Sequence, residues 1–347
     1  PPDPAPPPPA PKIRKPRPLP PPRPKSTRPT RPPSRYDSPT ASSSAKSPRL
    51  MRILVARKTG KAIPKSWNQA MASDTSDKWI AASTKELENL GEKKVVRPVR
   101  PPPGANILNT IWVYDLKKDD VGDPVVDEDG RTGGQKMRAV ADGRGHIEGV
   151  NYEKLASATA QATSIRLVMG YAAEEIHREK LRGVTTSTVV FRVADFKGAY
   201  LSAGIDRKVY IRIPKSADPE LEKLRLEGWV WEVLQALYGL CQSAGLWGIC
   251  RDRLFRRCGF KLLKSDGGVY IKRDGTHWLK VPSHVNDLLG AMNAIRLWDT
   301  MVVELERVVT FSKVGNLSHH LGATWCQNEL GKMMCHLAGY TANSFYP

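Results

Sequence analysis

The sequence predicts an α+β fold, an antiparallel sheet packed on helices and preceded by a disordered basic tail. Three observations carry that expectation. Composition changes near residue 60: 19 of the 29 prolines lie before it, with arginine and lysine interspersed and almost no acids. Beyond Ile63, helical periodicities exchange with β-rich runs and with a hairpin signal, Asp274-Gly275 between two strand-like segments. Finally, two apolar runs each carry an acid or amide in mid-strand: Phe191-Arg-Val-Ala-Asp195 and Val281-Pro-Ser-His-Val-Asn-Asp-Leu-Leu-Gly290. A carboxylate inside a buried strand is expensive unless it is paired or holds a metal. Side by side, the two strands would gather Asp195, Asn286 and Asp287 around one point. Hard oxygen ligands so grouped suit two divalent cations that clamp a phosphoryl transfer.

The composition narrows the partners. A formal charge of +19 on 347 residues calls for an anionic partner, nucleic acid or an acidic membrane surface. The membrane is the weaker reading, because no run is long and apolar enough to span a bilayer and no signal peptide opens the chain. The five cysteines lack paired zinc-finger spacing, and Cys241, Cys250 and Cys258 are expected to pack as small apolar groups in a reducing compartment. The expected place is therefore inside the cell, with a cytoplasmic particle and the nucleus both left open. It begins with Pro1 rather than Met, as a piece of a longer polyprotein would.

Residues 1–60 cannot bury enough apolar surface to offset chain entropy and read as a disordered linker with polyproline II character. Pro20 to Pro24, with Arg23 among them, could alternatively dock an SH3-like aromatic groove. Asp77 can cap a helix over Lys78 to Leu90, with Trp79, Ile80, Leu87 and Leu90 near one face. Asn109 to Lys117 reads as a strand, and a polar loop from Asp119 to Gln135 leads to a basic second arm, Lys136 to Asp142. Thr163 or Ser164 caps a helix to Leu181 that feeds a strand from Val184 to Asp195. A helix over Ser243 to Cys258 carries Arg251, Arg253, Arg256 and Arg257, either as a solvated face or as a track for a phosphate backbone. Pro282 is out of place in a central strand, where it removes a ladder hydrogen bond. Ala291 to Val309 has the stripe of an amphipathic helix. His319 and His320 are adjacent in a strand and so point to opposite faces, which argues against joint metal ligation.

Several multi-residue phrases, in order over about residues 64–345, resemble the reverse transcriptases of copia-type retrotransposons. These are Trp79, Ala82, Glu86 and Leu87; Gly149-Val-Asn-Tyr152; Asp195-Phe-Lys-Gly-Ala-Tyr-Leu201; and Leu237-Tyr-Gly-Leu240 with Gln242, Ser243 and Trp247. The resemblance implies a right-hand polymerase, residues 61–347 forming fingers and palm and ending before any RNase H domain. It implies two Mg²⁺ or Mn²⁺ ions held by Asp195, the Phe196 carbonyl and Asp287, with deoxynucleoside triphosphates and an RNA or DNA template-primer as substrates. Lys136 and Arg138 match the pair that meets the triphosphate; on the residues alone they could equally be a solvated strand face. Tyr200 matches the ring beneath the sugar, although by itself it reads as core. Gly239 would let backbone approach the substrate closely, and Gln242 would help position the base pair.

The family's second metal strand reads Tyr-Val-Asp-Asp, and here it is His284-Val285-Asn286-Asp287. Cys241, Ala244 and Gly245 also replace the family's Lys, Pro and Arg, and Asp142 replaces the Arg that follows the basic arm. Three functions therefore stay open: an RNA-directed DNA polymerase impaired at Asn286, a catalytically dead nucleic-acid-binding relative, or an interaction protein working through its Pro-rich arm.

Overall fold

The computed structural model describes residues 63–117, 133–150, 152, 157–321, 323–327 and 333–336. The proline-rich tail and most of the loop after Lys117 lie outside the described residues.

Two helices and a hairpin begin the described chain. The Ser66 hydroxyl accepts the Gln69 N–H at 3.3 Å and caps α1 (Trp67–Met71). The next helix, α2 (Ser76–Glu92), starts two residues before the expected point. Thr75 takes the N-cap position, and Asp77 sits in the first turn, where its charge complements the helix dipole instead of capping it. Strands β1 (Val96–Val99) and β2 (Ile107–Leu108) precede β3 (Thr110–Leu116), which pairs antiparallel with β4 (Gln135–Ala141) as expected. Alternation along β4 turns Met137, Ala139 and Ala141 inward. Lys136 and Arg138 go to the other face. Trp79 packs edge-on to Tyr114 with ring centroids 5.4 Å apart, joining α2 to the hairpin.

The sheet that carries the acids has six antiparallel strands in the order β12-β5-β11-β10-β9-β8. These are β5 (Val190–Phe196), β8 (Lys261–Leu263), β9 (Asp266–Asp274), β10 (His277–His284), β11 (Asp287–Met292) and β12 (Phe311–Asn316). Its faces are dressed differently. Phe191, Val193, Leu289 and Ala291 pack with α3 (Ala162–Leu181) through Ile165, Val168 and Ala172. Ala194, Phe196, Leu288 and Met292 pack with Trp247 and Phe255 of α5 (Ser243–Arg257) and with Trp298 and Met301 of α6 (Ile295–Glu306). Gly290 permits this closeness, since a Cβ there would stand 2.3 Å from the Trp298 indole.

A second, four-stranded sheet has the order β1-β7-β6-β2, with β6 (Gly204–Arg212) and β7 (Val230–Gln235); its β2–β6 pair is parallel. Helix α4 (Pro219–Leu226) lies between those strands in sequence, its first N–H groups accepted by Asp218. Strands β13 (His319–His320), β14 (Ala323–Gln327) and β15 (Met333–His336) make a small third sheet.

The structure corrects three readings here. Residues 281–290 are not one strand but the end of β10, a turn at Val285-Asn286, and β11. Val285 has φ +54°, which β-branched residues rarely adopt, and no Gly marks the turn, so it lacked the usual hairpin signature. The residues from Ala291 first complete β11, and α6 begins only at Ile295. The strand expected from Val184 starts at Val190. Pro282 does lie in an interior strand, paired with Val269 on the β9 side. On the β11 side the ladder skips from Lys280↔Ala291 to Ser283↔Leu288 without a change of register, the interruption expected of a residue with no N–H.

Candidate functional site

Asp195 near the end of β5 and Asp287 at the start of β11 are direct cross-strand partners, so the two carboxylates flank one edge of the sheet. The Asn286 carbonyl accepts the Phe196 N–H at 3.0 Å, pinning the turn to β5. From the turn, the Asn286 side-chain amide donates to Asp195 Oδ1. From β12, on the opposite side, the Ser312 hydroxyl donates to Asp195 Oδ2 and to the Asp195 carbonyl. Burial raises the Asp287 carboxyl above its usual range, the charge of Asp195 adds to the rise, and His284 opposes it.

This donor set does not fit a two-cation centre. Both oxygens of Asp195 already accept hydrogen bonds, and the third position offers a neutral amide. Mg²⁺ dehydrates reluctantly and prefers charged oxygens. Among the described residues no group of three or more His, Cys, Asp or Glu could hold an ion. His320, in β13, is buried, and its imidazole is pushed down to about 4 mainly by that burial.

Beside Asp195 opens a cleft of about 1070 Å³, walled by α2, the β3–β4 hairpin and the end of β5. Lys136, Arg138, Asp195, Phe196, Tyr200 and Asn286 all line it. The structure thus brings the expected phosphate-binding pair and the expected metal strand to one concavity, although they lie some sixty residues apart in sequence. The Arg138 guanidinium lies 5.8 Å from the centre of the Tyr238 ring, and the Tyr200 ring is 6.0 Å from that of Tyr238. Burial lowers the Lys136 ammonium, and the Arg138 charge lowers it further. Tyr200 is half-buried against the core and also lines the cleft.

Other expected site residues stand elsewhere. Arg251 is 1 % exposed, its guanidinium donating to the Tyr270 hydroxyl, the Ser283 hydroxyl and the Ala158 carbonyl, so it ties α5 to β9 and β10 and cannot track a phosphate backbone. Arg253, Arg256 and Arg257 are exposed, Arg256 pairing with Asp252 at 3.1 Å. Gln242 is fully buried at the residue before α5 and is not among the residues that line the cleft. Gly239 does permit a close approach, but of the chain to itself: with φ +86°, its Cβ would fall 2.0 Å from the Ala141 carbonyl oxygen. Cys241 is exposed rather than packed, whereas Cys250 and Cys258 are half-buried as expected. Asp142 is held by Arg144, whose Nη2 lies 2.7 Å from its carboxylate, and that pairing holds the carboxyl below the usual carboxylate range.

Sequence reasoning missed Glu86, Lys197 and Ser312 as site residues. Glu86 and Lys197 line the cleft, and Ser312 meets Asp195. Lys197 had a signal in its position two residues past Asp195, and Glu86 in its helix phrase. Ser312 had none, because only the β12–β5 pairing brings it near.

A family model described as reverse transcriptase (RNA-dependent DNA polymerase) matches residues 93–343. The chain is 24% identical over 260 residues, 75% of its length, to the retrovirus-related Pol polyprotein from transposon RE2 of Arabidopsis thaliana. It is 24% identical over 228 residues, 65% of its length, to that from transposon TNT 1-94 of Nicotiana tabacum. It is 25% identical over 150 residues, 43% of its length, to a protein assigned to transposon Ty5-1 in Saccharomyces cerevisiae. The matches span 16%, 15% and 47% of those three proteins, respectively. With most of its described residues inside the family match, and residues of its copia-type phrases (Glu86, Asp195 and Tyr238 among them) lining the cleft, the chain belongs to the reverse transcriptase (RNA-dependent DNA polymerase) family of copia-type retrotransposons.

Proposed function

We propose that residues 61–347 form the fingers and palm of a reverse transcriptase that engages template-primer and deoxynucleoside triphosphate but transfers nucleotides poorly or not at all. In this reading the β3–β4 hairpin is the fingers arm. Lys136 and Arg138 hold the triphosphate, Arg138 braced over Tyr238. Tyr200 lies beneath the sugar and disfavours a 2′-hydroxyl. Exposed Arg253, Arg256 and Arg257 add positive surface for nucleic acid. In the family, divalent cations neutralise charge developing on the phosphates. Here the observation that carries the impairment is the Asn286 amide donating to Asp195, in place of a third carboxylate.

The test is primer extension with Mg²⁺ or Mn²⁺. The unmodified chain should extend barely or not at all, and Asn286→Asp should raise extension by roughly 10²–10³-fold, the usual scale for one transition-state electrostatic contact. Asp195→Ala in that background should abolish it. Robust extension by the unmodified chain, unchanged by Asn286→Ala, would show that position 286 is not the missing ligand. If Asn286→Asp stays inactive while duplex binding persists, the catalytically dead nucleic-acid-binding reading stands.

A further inference from the structure

Glu86 is an acid in a place built for anions. It projects from α2 into the cleft wall beside β4, where its Oε1 accepts the Ala139 N–H at 3.4 Å. Ala139 lies between Arg138 and Val140 on the strand whose outward residues, Lys136 and Arg138, supply the cations of the same cleft. Helix α2 and β4 are also joined by apolar contacts, Trp79 and Met137 sharing one cluster. A glutamine would make the same backbone hydrogen bond, so anchoring the strand does not by itself call for a carboxylate.

We infer that Glu86 is a positioning residue of the nucleotide site, fixing β4 through Ala139 and setting by its own charge how strongly Lys136 and Arg138 attract the phosphates of an incoming triphosphate. This rests on the reading of the cleft as a triphosphate site. The groups facing Glu86 are Lys136 and Arg138 from β4 and Tyr238 from the segment after β7; Asp195 lies across the cleft, and Lys85 and Glu88 on α2 itself are exposed. Burial pushes the Glu86 carboxyl up to about 7, the Ala139 N–H and the two arm cations opposing the rise only in part. Phosphates that engage those cations remove part of the opposition and add negative charge nearby, so the complex favours the protonated acid. Affinity is therefore greatest below pH 7 and falls above it, as the free site loses a proton that binding must restore.

The experiment compares the full-length chain with Glu86→Gln, a neutral side chain of the same shape, by calorimetric titration of dTTP at fixed Mg²⁺ from pH 6 to 8. Taking the affinity ratio cancels the ionisation of the nucleotide itself. The expected ratio of Glu86→Gln to the unmodified chain is near one at pH 6 and rises toward about tenfold at pH 8, the linkage limit for a group titrating near neutrality. The unmodified chain alone, titrated near pH 7 in buffers of different ionisation enthalpy, should take up protons beyond those the nucleotide accounts for. A ratio that stays constant with pH, or no excess proton uptake, overturns the inference while leaving the nucleotide reading intact. Absence of dTTP binding by both chains at every pH overturns the nucleotide reading and this inference with it.

Discussion

Arg251 and Arg253 sit two residues apart on α5 and meet opposite environments. Arg251 spans the interior between Tyr270, Ser283 and Ala158, its NH2 group reaching the Ala158 carbonyl at 2.5 Å. Arg253 is exposed. Arg251→Ala strips two buried hydroxyls, those of Tyr270 and Ser283, of a donor, and each unsatisfied group costs about 1–3 kcal/mol. We expect a loss of at least about 2 kcal/mol in urea unfolding. Arg253→Ala should leave stability within about 0.5 kcal/mol and instead weaken duplex binding at low salt. An Arg251→Ala chain as stable as the parent would contradict the structural role drawn from those bonds.

The β3–β4 hairpin is held to the rest of the fold at its base. Ala141 N–H donates to the Tyr238 carbonyl at 2.8 Å, and Asp142 N–H to that of Asn109 at 2.7 Å. Gly239 allows the first contact, because its φ of +86° and the adjacent Ala141 backbone leave no room for a side chain. Gly239→Ala must therefore shift one backbone against the other. We expect it to cost at least about 2 kcal/mol, combining left-handed backbone strain with overpacking. The arm should also displace, so triphosphate affinity should fall together with stability. A variant with parental unfolding and parental dTTP binding would show that the junction yields at no cost. Glu86 secures the same arm from the α2 side at Ala139, so the two contacts hold β4 at positions two residues apart.

Over the whole molecule, a net charge of +19 acts at longer range than any one contact. Lys136, Arg138 and the exposed arginines of α5 are among its described carriers, and no helix among the described residues is long and apolar enough to cross a membrane. Duplex affinity should fall steeply with salt, log K against log[salt] having a slope of about −0.9 for each phosphate neutralised on B-DNA. Filter binding on the chain with and without residues 1–60 divides that slope between tail and cleft. A flat salt dependence, or binding that vanishes entirely with the tail, would count against a nucleic-acid cleft.

Much of this was legible in residue order because local physics decides it. The α3 stripe of Ile165, Val168, Met169, Ala172 and Ile176, the β3–β4 strands with their alternating faces, and the stop of α5 before Gly259 follow from periodicity and backbone preference within a few residues. The placing of Asp195 beside Asp287 followed from the cost of burying a lone carboxylate, a rule that also acts on each strand separately. Other features depended on which segments meet. Arg251 looked like a surface arginine until three polar groups from β9, β10 and the segment before α3 closed around it. Ser312 became a partner of Asp195 only through the β12–β5 register, and Glu86 entered the site only because α2 packs on β4. The sequence by itself determined the family phrases, the periodic elements and the presence of Asn286 where the family phrase has an Asp. The tertiary structure alone decided which charges face the cleft and which are consumed inside the fold, because burial and hydrogen-bond partners belong to pairs of segments distant along the chain.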